Sequence, residues 1–184
     1  MAPAELIAAA FGFAYILLAI RQHRACWIAG GIGTAIYAKV FFDAGLPMQA
    51  ALQVVYVAMS VYGYFAWRRD QGRSAPVRRW TPARHLFALA AVGLATLVSA
   101  PLAAEHALSA APVADSLGTW ASVVATWLLA RRVVENWLWW IAVDAGLAAL
   151  FAAEGLLPTA ALYLAYALLA VAGWRRWRRE AAAG

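Results

Sequence analysis

The sequence contains few of the residues from which active sites and metal centres are built. Charged residues make up 13% of its 184 residues, and it has three histidines and a single cysteine, Cys26. A lone cysteine can form neither an internal disulfide nor a cysteine metal cluster. The apolar stretches hold no carboxylate pair, serine–histidine arrangement or metal-ligand spacing, and His23, His85 and His106 lie at their edges. The sequence therefore argues against an enzyme and predicts neither a cofactor nor a metal site.

Apolar residues dominate what is present. Hydrophobic residues make up 65% of the chain, and the mean hydropathy is +0.68. Apolar runs recur every twenty-odd residues, which is typical of a helical bundle embedded in lipid rather than of a soluble core. A chain of this length allows one membrane domain. We expect an all-α membrane protein.

Seven apolar runs are long enough, or nearly so, to cross a bilayer as helices. Prolines fall at the predicted ends, where a missing backbone N–H costs least. These prolines are Pro47, Pro82, Pro101, Pro112 and Pro158. The predicted spans cover residues 5–20, 27–42, 47–67, 84–100, 113–130, 137–151 and 157–174.

The second half of the chain repeats the first at a constant offset of 110 residues. Matched pairs include Trp27 and Trp137, Phe41 and Phe151, Gly45 and Gly155, Leu52 and Leu162, Tyr56 and Tyr166, Gly63 and Gly173, and Trp67 and Trp177. Spans one to three thus match spans five to seven in the same orientation, with span four as an unmatched linker. This predicts a 3+1+3 arrangement of parallel triple-helix bundles, which is typical of secondary transporters. The predicted parts are a first bundle (1–69), a loop and linker helix (70–110), and a second bundle with a basic tail (111–184).

The arginines predict the orientation. All fourteen lie at residues 21–24, 68–84, 131–132 and 175–179, which seven spans place on one side of the membrane. The opposite connections hold Asp43, Glu105, His106, Asp115 and Glu154. The positive-inside rule then puts the N-terminus outside and the C-terminus in the cytoplasm. Short basic runs beside spans are expected to contact anionic lipid, so the bilayer is a predicted partner and nucleic acid is not.

Polar and aromatic residues within the spans are the candidate site, because such residues are costly in lipid unless they face the bundle interior. They recur at helical spacing and define one face of each span. With a rise of ~1.5 Å per residue, Asp144 lies ~12 Å beyond Asn136, and Thr34, Tyr56 and Tyr166 fall in a similar layer near the bilayer midplane. The faces are Gln49, Gln53, Tyr56, Ser60, Gly63 and Trp67 in span three; Thr159, Tyr163, Tyr166, Ala170, Gly173 and Trp177 in span seven; Asn136, Trp137, Trp140 and Asp144 in span six; and Trp27, Gly30 and Thr34 in span two.

Each of these features also has a purely structural interpretation. Asp144 can be a structural residue bonded to Thr34 or a tyrosine, and Gln53 can hold helices together. Lys39 and Asp43 predict an interfacial ion pair. The small residues Gly30, Gly31 and Gly33 predict close helix packing rather than phosphate binding. Six tryptophans near the arginine-bearing ends predict an aromatic belt at the lipid interface: Trp27, Trp67, Trp127, Trp137, Trp174 and Trp177.

Two stretches resemble the nicotinamide riboside transporters of the PnuC family. They are YAKVFFDAGLPMQAALQVVYVAMSVYGYFAW, which ends at Trp67, and ENWLWWIAVD, which ends at Asp144. The resemblance runs through about nine-tenths of the chain. It implies a fold like that of the SWEET sugar transporters and a bacterial inner-membrane facilitator, with a cytoplasmic kinase that traps the imported vitamin. A homo-oligomer is compatible with the sequence, which does not determine the oligomeric state.

The resemblance also implies which residues meet the substrate. It places Gln53, Tyr56, Asn136, Trp137 and Trp140 at or near it, and the polar faces add Thr34, Asp144, Tyr163 and Tyr166. The family also contains thiamine and riboflavin carriers, and Tyr64 stands where many nicotinamide riboside members have tryptophan. Related vitamin carriers therefore remain the alternative, ahead of a membrane-embedded enzyme or a structural subunit.

The seven-span topology can be tested directly. A reporter fused after Gly184 is expected in the cytoplasm and a tag before Met1 outside, because the fourteen arginines then lie on the cytoplasmic side. Accessibility of each tag to a protease in intact cells and in inverted vesicles measures this. Finding both tags in the same compartment would rule out seven spans.

Overall fold

The computed structural model describes residues 3–43, 47–68, 76–105, 112–153 and 155–183, and this part of the chain is all-α. The predicted Gly45, His106 and Glu154 lie outside the described residues. Seven helices are present within these ranges: α1 (Pro3–Ile20), α2 (Ala25–Asp43), α3 (Pro47–Arg68), α4 (Pro82–Glu105), α5 (Pro112–Ala130), α6 (Asn136–Ala153) and α7 (Leu157–Ala183). The predicted helical fold and number of helices are confirmed.

Six of the described helices are long and apolar enough to cross a membrane. They are α2 to α7, and α1 contributes a shorter apolar stretch at Ile7–Ile20. Many large apolar side chains on these helices are exposed, for example Phe87 at 78% and Leu97 at 75% on α4. Surfaces of this kind suit a bilayer as solvent. The chain is a multi-pass membrane protein.

The chain divides into two compact units, Met1–Pro76 and Val77–Gly184. In the first unit α2 packs against both α1 and α3. In the second unit α6 packs against both α5 and α7, and α4 packs against α5. A small apolar core of Val92, Ala121 and Val143 holds α4, α5 and α6 together. We call α1–α3 and α5–α7 the two triplets. In each triplet the middle helix, α2 or α6, contacts both of its neighbours.

A tryptophan on the middle helix of each triplet packs directly onto a glycine of the helix that follows. A Cβ atom on Gly173 would lie 2.6 Å from Cδ2 of Trp137, and one on Gly63 would lie closer still to the Trp27 ring. Each ring also meets a second tryptophan edge to face at a centroid distance of 5.5 Å: Trp27 meets Trp67, and Trp137 meets Trp177. The two units therefore use the same contact at positions 110 residues apart.

This packing corrects the prediction of an aromatic belt. The exposed fractions of Trp27, Trp67, Trp137 and Trp177 are 1%, 3%, 2% and 0%, so these rings cannot reach lipid headgroups. The belt prediction is wrong for these four, because a glycine on the adjacent helix opens the space that Trp27 and Trp137 fill, and Trp67 and Trp177 pack against those two rings. Trp127 is 38% exposed and agrees with the prediction.

The turns that follow α1 and α5 have the same backbone conformation. Gln22 and Arg132 both have φ of 53°, the left-handed region that glycine usually occupies. In the first turn Gln22 N–H donates to Ala19 and His23 N–H donates to Leu18. The same two bonds recur in the second turn, from Arg132 to Leu129 and from Val133 to Leu128. This pair of hydrogen bonds is the Schellman motif, which satisfies the last carbonyls of a helix.

Two predicted helix ends are wrong. Pro101 lies inside α4, which continues to Glu105 instead of ending at residue 100. Its missing N–H leaves only the Leu97 carbonyl without its usual helical donor, which a helix can tolerate near its end. Helix α7 continues through the arginine cluster to Ala183, nine residues beyond the predicted end. The predicted ion pair is confirmed, with Lys39 Nζ 2.8 Å from Asp43 Oδ2.

The tryptophan–glycine contacts predict which glycines accept a side chain. Gly63→Ala and Gly173→Ala should each destabilise the protein by ~1–3 kcal/mol or more, because the new methyl group would overlap a buried indole ring. The matched controls are Gly93→Ala and Gly146→Ala, since a Cβ at either position meets nothing within 4 Å. Thermal unfolding in detergent measures the difference. Equal melting temperatures for all four variants would contradict the assigned packing.

Candidate functional site

The predicted polar face of α3 points toward the interior of the first unit. Ser60 and Trp67 are buried at 8% and 3% exposure, and Gln53 and Tyr56 are half-buried. The intervening side chains point outward, as Val54 at 61% exposure shows. The side chain of Gln49 lies outside the described residues. The predicted buried face of α3 is therefore confirmed.

Close packing of α2 brings the candidate residues of the first unit beside α1. A Cβ on Gly33 would lie 3.3 Å from Phe11, and one on Gly30 would lie 2.9 Å from the Tyr15 ring, which confirms the predicted role of these glycines. The Thr34 hydroxyl donates to the Gly30 carbonyl at 2.9 Å, within its own helix. Thr34 thus presents a methyl group and an oxygen whose proton is already engaged.

Tyr15 on α1 is a site neighbour that the sequence did not reveal. Its ring meets Trp27 edge to face at a centroid distance of 6.0 Å. It also lies within electrostatic range of Cys26 on α2 and Tyr56 on α3. Its repeat equivalent is Ala125, so the duplication that drew attention to the other aromatic residues gave no signal here.

The predicted face of α6 carries the most deeply buried polar groups among the candidates. Asn136 and Asp144 are 0% and 5% exposed. Asn136 Nδ2 donates to the Val133 carbonyl at 2.7 Å, whereas its Oδ1 and the Trp137 Nε1 have no hydrogen-bond partner among the described residues. No hydrogen bond or ion pair in the described part of the chain involves the Asp144 carboxylate. Asn136, Trp140 and Asp144 follow one another at intervals of about one helical turn, and Trp140 is half-buried.

The tyrosines of α7 form an aromatic group with the end of α6. Tyr163 stacks on Phe151 with centroids 5.3 Å apart and an interplanar angle of 26°. Tyr166 meets Tyr163 edge to face at 6.0 Å. Both tyrosines are half-buried. The structure thus brings Tyr163 and Tyr166 together as predicted neighbours on one helix face.

The two copies supply different chemistry at equivalent positions. Thr34 is replaced by Asp144, Gly30 by Trp140, Cys26 by Asn136, and Gln53 by Tyr163. The second copy therefore carries an acid, a buried amide oxygen and an extra indole ring, whereas the first carries a second amide and small residues. A flat, positively charged or amide-bearing ligand would find most of its recognition chemistry on α6.

Glu135 anchors a second polar cluster that the sequence did not reveal. Its Oε2 accepts from the Trp80 backbone N–H at 3.1 Å, and its Oε1 accepts from Arg79 Nε at 3.4 Å. His85 Nδ1 accepts from Trp139 Nε1 at 3.3 Å, with His85 Nε2 4.0 Å from Glu135. The bonded residues of this cluster are more than 50 positions apart in the sequence, so no local sequence pattern predicts their contact. Among the described residues no group of histidine, cysteine, aspartate or glutamate could hold a metal ion.

The chain is similar to known transporters. The family described as "Nicotinamide mononucleotide transporter" matches residues 2–179. The nicotinamide riboside transporter PnuC of Escherichia coli (strain K12) is 27% identical over 96% of this chain and 85% of its own length. The riboflavin/roseoflavin transporter RibM of Streptomyces davaonensis is 26% identical over 94% of this chain and 83% of its own.

A solved structure shares the fold. The crystal structure of the vitamin B3 transporter PnuC matches 98% of this chain and 82% of its own with a TM-score of 0.77, at 24% identity. The family match spans nearly all seven helices, and the relatives are transporters rather than enzymes. The chain therefore belongs to the nicotinamide mononucleotide transporter family, the family of the PnuC-type nicotinamide riboside transporters.

Proposed function

We propose that the protein carries nicotinamide riboside across the bacterial inner membrane by facilitated diffusion. The observation that carries this proposal is the buried polar face of α6, where Asn136, Trp137 and Asp144 keep polar atoms inside a membrane helix. Such groups cost free energy in lipid unless they serve an ion, a substrate or each other. The nicotinamide riboside transporters among the relatives favour the substrate.

The chemistry of the ligand suits the α6 face. Nicotinamide riboside combines a flat pyridinium cation with a neutral ribose, so the half-buried Trp140 ring can stack on it with ~0.5–2 kcal/mol of cation–π attraction. Gln53, Asn136 and the hydroxyls of Tyr56, Tyr163 and Tyr166 offer donors and acceptors to the carboxamide and ribose. The Trp137 ring packs against Gly173 and is buried. We therefore propose that Trp137 holds its neighbour Asn136 in position rather than touching the ligand.

Asp144 is proposed to offset the charge of the bound cation. Its carboxylate is 5% exposed and has no protein partner among the described residues. An unpaired buried carboxylate is costly, and a bound cation would remove that cost. The equivalent Thr34 carries no charge and bonds to its own helix, which makes it a neutral reference for the same layer.

The proposed mechanism is alternating access by two triple-helix bundles joined by a linker helix. The repeated tryptophan–glycine contacts and the matching turns after α1 and α5 support the 3+1+3 arrangement. In this arrangement the parts are residues 1–69, 70–110 and 111–184, with α1 as a seventh span, the N-terminus outside and the C-terminus in the cytoplasm. A cytoplasmic kinase that phosphorylates the imported riboside would give transport its direction.

Riboflavin is the second candidate substrate, and a specific relative favours it. RibM transports riboflavin and roseoflavin and matches this chain almost as well as the E. coli transporter does. Riboflavin is a flat but uncharged ring system, so it would use the aromatic groups without needing Asp144. Side-by-side uptake of radiolabelled nicotinamide riboside, thiamine and riboflavin into proteoliposomes separates the candidates.

Loss of the proposed ligand contacts should weaken binding without unfolding the protein. Trp140→Ala is expected to weaken binding of the preferred vitamin about 2- to 30-fold, because ~0.5–2 kcal/mol of ring attraction is lost. Gln53→Ala should weaken it as well, through a lost amide contact. Calorimetry on purified protein measures both. The matched control is Trp120→Ala, since Trp120 is 38% exposed on α5 and bonds to Ser99. Normal binding by both site variants would show the site to be wrong.

The charge of Asp144 can be separated from its shape. Asp144→Asn keeps the size of the side chain and removes the charge, so uptake of a cationic vitamin should weaken roughly 10- to 100-fold, the value of a charge-assisted contact. Thr34→Val removes a hydroxyl at the equivalent position and should weaken uptake less, with normal expression of both. Initial uptake rates in proteoliposomes measure this. Equal, small effects of the two substitutions would leave stacking and neutral hydrogen bonds as the basis of selectivity.

A further inference from the structure

An open groove lies at the arginine-bearing end of the second unit. Its volume is about 810 Å³, and its lining includes Arg79, Trp80, Leu86, Leu89 and Glu135. These residues come from the segment before α4, from the first turns of α4 and from the start of α6. None of them belongs to the polar face proposed for the vitamin. The groove is therefore separate from the proposed vitamin site.

The wall of the groove is held in place before any ligand arrives. The Arg78 N–H donates to the Arg132 carbonyl at 2.8 Å, and the Val134 N–H donates back to the Arg78 carbonyl at 2.9 Å. This pairs the segment with the turn between α5 and α6 as a short parallel bridge. Glu135 fixes the next residue by accepting from the Trp80 N–H. A site of fixed shape loses less entropy when it binds.

One end of the groove is apolar and continuous with a lipid-facing surface. Leu86 and Leu89 on α4 are 69% and 56% exposed, and Phe87 beside them is 78% exposed. Helix α4 packs mainly against α5 and also meets α6 through Val92 and His85, whereas Leu86, Phe87 and Leu89 remain exposed. An acyl chain could lie along this surface without displacing any protein contact.

The other end of the groove offers positive charge. The Arg79 side chain is 64% exposed, and its Nε lies 3.4 Å from Glu135 Oε1, the one polar contact of this guanidinium among the described residues. Glu135 is 12% exposed, and each of its oxygens already accepts a hydrogen bond within the protein, so it is poorly placed to bind an ammonium group. Arg78 and Arg84 are exposed on the same segment and the following helix turn. Arg78, Arg79 and Arg84 together outnumber Glu135, so the net charge around this end of the groove is positive.

We propose that this groove binds an anionic phospholipid, with the phosphate at the Arg79 guanidinium and an acyl chain along Leu86 and Leu89. Guanidinium groups pair well with phosphate oxygens, and basic pockets beside membrane helices attract anionic headgroups. Trp80 also lines this groove, and an indole ring suits the lipid interface. The proposal is independent of which vitamin the protein transports.

A second arginine-lined groove provides the control. It has a volume of about 470 Å³ and is lined by Ala172, Arg175, Arg176, Arg179 and Glu180. Like Arg79, Arg176 forms a surface pair through Nε, at 3.0 Å from Glu180. This groove lacks large apolar side chains, so it can attract phosphate but offers little to an acyl chain. Arg176→Gln therefore removes the same charge without touching the proposed site.

The test uses the purified full-length protein and native mass spectrometry with added phosphatidylglycerol, phosphatidylethanolamine or phosphatidylcholine. We expect preferential retention of phosphatidylglycerol, about fivefold weaker binding in Arg79→Gln, and little change in Arg176→Gln. Arg79→Lys keeps the charge and should retain most of the binding. Soluble glycerol phosphate should not compete at concentrations that match the lipid, because it lacks the acyl chain.

Three results would overturn the proposal. Equal losses in Arg79→Gln and Arg176→Gln would show general attraction to the basic face. Equal retention of all three lipids would remove the role of charge, and full competition by glycerol phosphate would indicate a site for free phosphate. Should Arg79→Gln not purify as a monodisperse protein, Leu89→Gln tests the apolar end instead. It should lower retention of phosphatidylglycerol, and unchanged retention would count against the site.

Discussion

The contact between an indole ring and a glycine on the next helix organises both units. In lipid the hydrophobic effect does not drive helices together, so association depends on close packing and small residues. Trp27 on Gly63 and Trp137 on Gly173 provide that close approach at equivalent depths. Once these contacts set the register of α2 on α3 and of α6 on α7, every polar residue on the same faces has its direction fixed.

Much of the helical framework could be predicted from the sequence because membrane helices follow simple rules. Apolar runs gave the number of helices, and three-residue and four-residue spacing gave the buried faces of α3 and α6. Pro101 misled the prediction, since a proline near the end of a helix removes only one bond and need not end it. The tryptophans misled it for another reason: a ring near the interface can face lipid or protein, and a single helix does not show which.

The candidate site also contains some residues that could be predicted from the sequence and others that could not. Asn136, Trp140 and Asp144 could be found because they are polar or aromatic residues at helical spacing inside an apolar run. Tyr15 and Glu135 could not be found, because their positions depend on partners distant in the sequence. Glu135 has no equivalent in the first copy, where Ala25 takes its place. The duplication therefore indicates the features that both copies share but not those that occur in one copy alone.

Cys26 lies on the middle helix of the first unit with 0% of its surface exposed. A thiol reagent dissolved in water has no route to a side chain enclosed in this way while the unit stays folded. The natural chain can thus serve directly as the background for labelling with maleimides at introduced cysteines, without first removing its own thiol. Spin labels or fluorophores placed on exposed positions of the two units could then test whether the units move during the proposed transport, in an otherwise unaltered sequence.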